Sequence, residues 1–101
     1  ELTREDMGKL KVLLVFLSDK NRQIIGGKII EGMIEKGGKI EVRRDDEKVG
    51  KGKMINLQKN KKDIGKGVKG DEVGILYEGN VKIEQNDELI IYTEKMVKET
   101  L

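Results

Sequence analysis

Cysteine, histidine, tryptophan and proline are all absent from the 101 residues. Without cysteine there is no disulfide framework and no thiolate metal site. Without histidine the chain lacks the usual general base near neutral pH and the commonest metal ligand, so a Ser-His-Asp hydrolase is excluded. The only aromatics are Phe16, Tyr77 and Tyr92. Each sits inside an apolar run, which argues against sequence-tolerant binding of single-stranded nucleic acid, since that mode uses several stacking platforms. No apolar run approaches the ~20 residues of a membrane span, and no membrane partner is expected. The start, Glu1 to Met7, is charged and lacks the basic-then-apolar order of a signal peptide, so the protein is read as cytoplasmic; separately, a monomer is expected. It begins without Met, which suggests a piece of something longer.

Charge is plentiful and unevenly laid out. Lys and Arg number 21 against 19 Asp and Glu. Eight lysines and one acid, Asp63, fall between Lys48 and Lys69, whereas residues 70–101 hold three basic and eight acidic groups. Clustered ammonium groups raise the local potential and attract phosphate even on a nearly neutral chain. The same lysines are also what a solvated edge uses to block aggregation of exposed strands. Charge alone leaves both readings open.

Glycine supplies the punctuation, with 13 residues. Short β-branched runs between Gly, Asn and Asp clusters predict strands at Lys9–Leu17, Arg22–Ile30, Lys39–Arg43, Lys53–Leu57, Gly74–Tyr77 and Glu88–Thr93. Lys39-Ile40-Glu41-Val42-Arg43 alternates with period two, as a half-buried strand does. Val12 to Leu17 is continuously apolar, which predicts a strand end covered on both faces. Turns are expected at Ser18–Asn21, Glu35–Gly38, Arg44–Lys48 and Gln85–Asp87, with Gly37 and Gly38 suited to positive φ. No long helical stripe occurs. The pattern is all-β, a sandwich or a small barrel. The barrel domain is expected over residues 8–94, with 1–7 a linker remnant and 95–101 a tail, both ends frayed or weakly helical.

Two motifs have plain structural readings. Gly65-Lys66-Gly67-Val68-Lys69-Gly70 matches G-x-G-x-x-G, but a lysine-rich run precedes it and a strand-like segment follows, so a mobile surface loop is expected rather than a dinucleotide site. Asp45-Asp46, Asp71-Glu72 and Asp87-Glu88 sit at turns or strand edges without a third carboxylate at useful spacing, so no metal site is expected. No G-x-x-x-x-G-K-[ST] phosphate loop is present.

Four segments in order resemble one family. They are Ile24-Ile25-Gly26-Gly27-Lys28-Ile29-Ile30-Glu31-Gly32-Met33-Ile34-Glu35-Lys36-Gly37, then Gly52-Lys53-Met54-Ile55-Asn56-Leu57-Gln58-Lys59-Asn60-Lys61-Lys62-Asp63-Ile64, then Gly70-Asp71-Glu72-Val73-Gly74-Ile75, and Val81-Lys82-Ile83-Glu84-Gln85-Asn86-Asp87-Glu88-Leu89-Ile90. From Gly8 to about Thr93 the chain resembles the C-terminal β-barrel domain of bacterial translation initiation factor 2. The resemblance implies a closed six-stranded barrel of the elongation factor Tu domain II type. It also implies a task without chemistry, holding the formylmethionyl-adenosine end of initiator tRNA on the ribosome. By position it implies that Lys59, Asn60, Lys61 and Lys62 lie beside the tRNA end, Glu72, Val73 and Gly74 on the opposite wall, and Gly26 and Gly27 on the strand next to them. No cofactor is implied in this chain; GTP and Mg2+ would belong to a G domain elsewhere in a parent GTPase. The sequence departs from the resembled pattern at Asn60 (usually aromatic), Lys59 (usually arginine), Gly27 and Val73 (often cysteine) and Asp71 (often aromatic). Lysine cannot make arginine's bidentate fork to phosphate. The alternatives are the second domain of another translational GTPase, packed on its G domain and touching the ribosome, or a non-catalytic structural interaction module.

Overall fold

The computed structural model describes residues 2–96. Eight strands follow one another: β1 Leu2–Asp19, β2 Arg22–Glu35, β3 Lys39–Arg44, β4 Glu47–Lys59, β5 Lys62–Asp63, β6 Lys66–Val68, β7 Glu72–Gly79 and β8 Glu88–Met96. All pairings are antiparallel. Six of the strands close on themselves in the order β1, β2, β7, β4, β3, β8 and back to β1. The protein is a closed six-stranded barrel, with β5 extending β4 and β6 covering the far end of β2.

Closure depends on β1 serving two neighbours. Its first part pairs with β8, from Leu2 opposite Met96 to Lys11 opposite Glu88. Its second part pairs with β2, from Gly8 opposite Gly32 to Asp19 opposite Arg22. Register shifts after Asp6, Lys9, Val12 and Val15 curl the strand, because each bulge bends the chain and adds twist. At the corner β1 runs against β2 so closely that a Cβ on Gly8 would lie 2.4 Å from the Met33 carbonyl oxygen.

Inside, Leu10, Val12, Ile25, Ile40, Leu57, Ile75, Tyr77 and Ile91 are fully buried. Tyr77 donates its hydroxyl to the Val81 carbonyl at 2.9 Å. The chain between β7 and β8 is fastened over one barrel end. Gln23 donates to the Ile83 carbonyl at 2.9 Å and accepts from the Ile83 amide at 2.6 Å. Arg44 grips both oxygens of buried Asp87 at 2.9 and 2.8 Å.

Several sequence expectations change here. Residues 2–7, expected as a linker remnant, are the first part of β1. They are charged, so no apolar alternation marks them. What holds them is distant: Arg4 donates to Glu41 at 2.6 Å and stacks 4.1 Å over the Tyr92 ring. Lys95 and Met96 belong to β8; the rest of the expected tail lies outside the described residues. Gly65 to Gly70, expected as a mobile loop, contains β6, whose Gly67 sits opposite Ile34 and packs against Ile29. The strand expectation for Val12–Leu17 holds, but its two-sided cover does not: Leu13, Leu14 and Phe16 are exposed.

Glu41 gives the fold a pH dependence. Burial pushes its pKa up, but the bonds from Arg4 and Arg43 outweigh that and hold it below its ordinary 4.5. A carboxyl with a depressed folded pKa takes up protons on unfolding, so its stabilisation is complete above 4.5 and is lost as pH falls through the depressed value. The urea midpoint is expected to drop between pH 7 and pH 3, and Glu41→Gln to lower the pH 7 midpoint while shrinking that drop. An unchanged drop in the variant would place the acid sensitivity elsewhere.

Candidate nucleic-acid interface

Antiparallel register lines up residues across four strands. Leu14 of β1 lies opposite Gly26 of β2, Gly26 opposite Gly74 of β7, and Gly74 opposite Gln58 of β4. Alternation turns this row outward, because the neighbours Ile25, Ile75 and Leu57 point into the core. Two glycines side by side leave a trough in the outer wall. At its β1 side the Phe16 ring reaches over Gly26, where an added Cβ would lie 2.8 Å from the ring. At its β4 side the chain turns through Asn60 and Lys61, whose φ of 54° and 65° make a two-residue left-handed turn into β5. The result is a hollow of about 390 Å³ lined by Leu13, Leu14, Phe16, Ile24, Gly26, Gly27, Gln58, Asn60, Lys61, Glu72, Val73 and Gly74.

Seven of the nine residues singled out from sequence therefore share one hollow: Gly26, Gly27, Asn60, Lys61, Glu72, Val73 and Gly74. Two do not line it. Lys62 lies exposed in β5. Lys59 turns to Asp71, with Nζ 2.9 Å from Oδ1. Within the seven, two side-chain roles change. Val73 is 5% exposed and belongs to the core. A Cβ on Gly27 would meet Leu10 Cδ2 at 2.3 Å and the Lys11 carbonyl oxygen at 2.5 Å, so that glycine admits β1, not a ligand. Gly74 is different: an added Cβ has only the Ile25 carbonyl oxygen near it, at 3.9 Å.

The apolar lip is a candidate functional feature that the sequence pattern concealed. Phe16 is 64% exposed, Leu14 53% and Ile24 39%. The signal was the unbroken run Val12–Leu17, since a barrel strand has one inside and must leave every second residue out. Nor do the lysines between Lys48 and Lys69 form a single cluster. Lys51 precedes Lys59 by eight residues along β4, roughly 26 Å at a strand's rise, which exceeds the screening length at physiological salt. Lys51 and Lys53 line a separate hollow of about 520 Å³ with Lys39, Glu78 and Glu94. That hollow is the larger, but Glu94 pairs Lys39 and Glu78 stands 3.7 Å from Lys53, so its cations are largely offset.

Asp63 fixes the turn. It accepts from Gln58 at 2.8 Å and from Asn56 at 3.1 Å, and these bonds hold its pKa below 3.8. Gln58 is thereby held facing the glycine trough. Among the described residues no group of three or more His, Cys, Asp or Glu is placed to hold a metal ion.

A sequence profile described as elongation factor Tu domain 4 matches residues 7–90. The chain belongs to that family. Within the elongation factor Tu domain 4 family it is similar to translation initiation factor IF-2 of Anaeromyxobacter dehalogenans, 30% identical over 100 residues, covering 99% of this chain and 10% of that protein. It is 32% identical over 95 residues to the IF-2 of Pelotomaculum thermopropionicum, covering 94% of this chain and 10% of the relative. The IF-2 of Parvibaculum lavamentivorans is 25% identical over 101 residues, covering 100% of this chain and 11% of the relative. The chain thus spans about a tenth of these relatives. Its fold matches translation elongation factor SelB of Methanococcus maripaludis with a TM-score of 0.69 at 20% identity, covering 81% of this chain and 18% of SelB. The chain is a translation-factor barrel domain related to IF-2, as the sequence segments implied.

Proposed function

We propose that the glycine trough holds the acylated 3′ end of an initiator tRNA, N-formylmethionyl-adenosine, for a parent factor that carries a GTPase domain and works on the ribosome. The observation that carries this reading is the row Leu14–Gly26–Gly74–Gln58, in which the open main chain of Gly74 lies between an apolar lip seated on Gly26 and a cationic turn. Gly74 sits in mid-sheet with ladder partners on both sides and an open outer face, so it supplies access rather than donors, while Gly26 seats the Phe16 ring that forms the lip. The polar contacts come from the Gln58 carboxamide, Asn60 and the Lys61 ammonium. The methionine side chain or the terminal base lies on Phe16, Leu14 and Ile24, which regain the apolar cover that water denies them. No catalytic step is involved.

Formyl selectivity follows from charge. A free α-amino group titrates near 7.7–8.0 and is substantially protonated at neutral pH. Pressing that ammonium against an apolar lip beside Lys61 costs several kcal/mol. Glu72 would attract it, but Lys28 stands opposite Glu72 in the β2–β7 ladder and offsets that pull. A formamide carries no charge and meets neither term. An NMR titration with N-formylmethionyl-adenosine is expected to move the amides of Gly26, Gly74 and Gln58, and the unformylated compound to bind at least about tenfold more weakly. Equal affinities, or shifts confined to the far side of the barrel, would defeat the reading and leave a structural module.

Two substitutions probe the lip and the turn. Phe16→Ala is expected to weaken binding by about tenfold or more, the scale of one lost base–aromatic stack. Its thermal midpoint should hardly change, because the ring is 64% exposed. Lys61→Gln is expected to flatten the dependence of log K on log salt by about 0.7, one single-strand phosphate contact. Lys62→Gln should flatten it less, since Lys62 does not line the hollow.

A further inference from the structure

Lys59 stands next to the hollow, yet it is already engaged. Its Nζ lies 2.9 Å from Asp71 Oδ1, while Asp71 Oδ2 accepts the Val68 amide at 3.1 Å. The two ends of this pair differ in mobility. The Asp71 main chain is fastened twice, its carbonyl accepting from Ile29 at 2.9 Å and its amide donating to Val68 at 3.0 Å. The carboxylate is therefore fixed in place. Lys59 reaches it on a four-carbon stem, 41% exposed and able to swing. Lys61 and Lys62 have no carboxylate within ion-pair distance among the described residues.

We propose that Asp71 is a resident counter-anion that holds Lys59 in the empty site and is displaced from it by an incoming RNA phosphate. This rests on the function proposed above and adds a device for release. When phosphate takes Lys59, Asp71 keeps only the Val68 amide and stands as an uncompensated negative charge beside the bound anion. That repulsion returns the site to its empty state. Lys59 also starts paired, so when phosphate takes it the cation freed from the RNA is offset by one drawn to the released Asp71 carboxylate, and the contact leaves little mark on the salt slope. The lysine supplies a contact without supplying tight, salt-sensitive adhesion to any RNA that passes. The bonds from Lys59 and from the Val68 amide hold the Asp71 carboxyl below its ordinary 3.8, as expected of an anion that stays charged throughout.

The test uses a short RNA hairpin whose 3′ adenosine carries N-formylmethionine through an amide, titrated by fluorescence anisotropy at several salt concentrations. Asp71→Asn keeps an oxygen to accept the Val68 amide, and its thermal midpoint reports whether the loop is intact. It is expected to bind several-fold more tightly than the wild type and to steepen the salt slope by about 0.7, the share of one newly free cation. Lys59→Gln should lower affinity only slightly in the wild type and by at least about fivefold more in the Asp71→Asn background, a non-additivity that reports exchange of partners. A carboxyl 13C titration gives a second readout that needs no variant, with the Asp71 pKa rising when the hairpin is added. Additive effects with an unchanged slope, or an Asp71 carboxyl that does not respond to RNA, would overturn the counter-anion role while leaving the trough assignment standing. Absence of wild-type binding to the formylated hairpin would instead overturn the function itself, and the counter-anion role with it.

Discussion

Gly74→Leu is expected to abolish most binding of the formylated tRNA end while leaving the barrel folded. The argument is one of direction and space. Gly74 faces outward between Gly26 and Gln58, and an added Cβ meets nothing closer than the Ile25 carbonyl oxygen at 3.9 Å. A leucine there projects into the 390 Å³ hollow and onto the lip of Phe16 and Ile24. It satisfies the apolar lip from within, and the ligand loses that contact. Burying a side chain of this size is worth about 3 kcal/mol, so the affinity is expected to fall by about two orders of magnitude. The thermal midpoint should stay within a few degrees or rise slightly, since leucine suits an outward strand position better than glycine. Affinity for the formylated hairpin and a melting curve measured on one preparation decide the matter. A variant that still separates formylated from free methionyl-adenosine would move the site off this wall.

Gly27→Ala is expected to do the opposite, damaging the fold rather than the site. The added methyl would lie 2.3 Å from Leu10 Cδ2 and 2.5 Å from the Lys11 carbonyl oxygen. A leucine side chain can yield, but the β1 backbone is held by ladders to β2 and β8 on both edges at that point. Overpacking of this kind commonly costs 1–3 kcal/mol, and with backbone on the receiving end about 3 kcal/mol is expected, a large share of a small domain's stability. The urea midpoint should fall by on the order of 1–2 M. Leu10→Ala in the same chain should be less harmful than the sum of the two single changes, because it clears one of the two clashes. Additive losses would mean that Leu10 is not what fills the space. At Gly27, a departure from the resembled pattern, Leu10 occupies the volume a side chain would need. Lys59 and Asp71, two further departures, are the halves of one ion pair.

Six of the eight strands were legible because β-branched runs and glycine punctuation are local signals. The first part of β1 was not, because Thr3, Arg4, Glu5 and Asp6 form a solvated ribbon whose anchor, Glu41, is 37 residues from Arg4. β6 was not, because three residues are too few to show a period. Most of the candidate site was named through the resembled segments, and Gly26 and Gly74 do meet across a ladder despite lying 48 positions apart. Phe16 escaped because an apolar run reads as core, and only the barrel shows that the ring has no layer over it among the described residues.

Composition and pattern alone determined that this chain is a β protein without cysteine or histidine, with strands that put one set of side chains inside. Those are properties of single residues and of a two-residue period, and they survive any arrangement of the strands. Register decided the rest. Bulges in β1 and closure through β8 set which outward residues become neighbours, and so they bring Leu14, Gly26, Gly74 and Gln58 into one row, leave Phe16 bare beside it and hand Lys59 to Asp71. A one-residue slip would have turned the same side chains to the other face, and only long-range pairing excludes that slip.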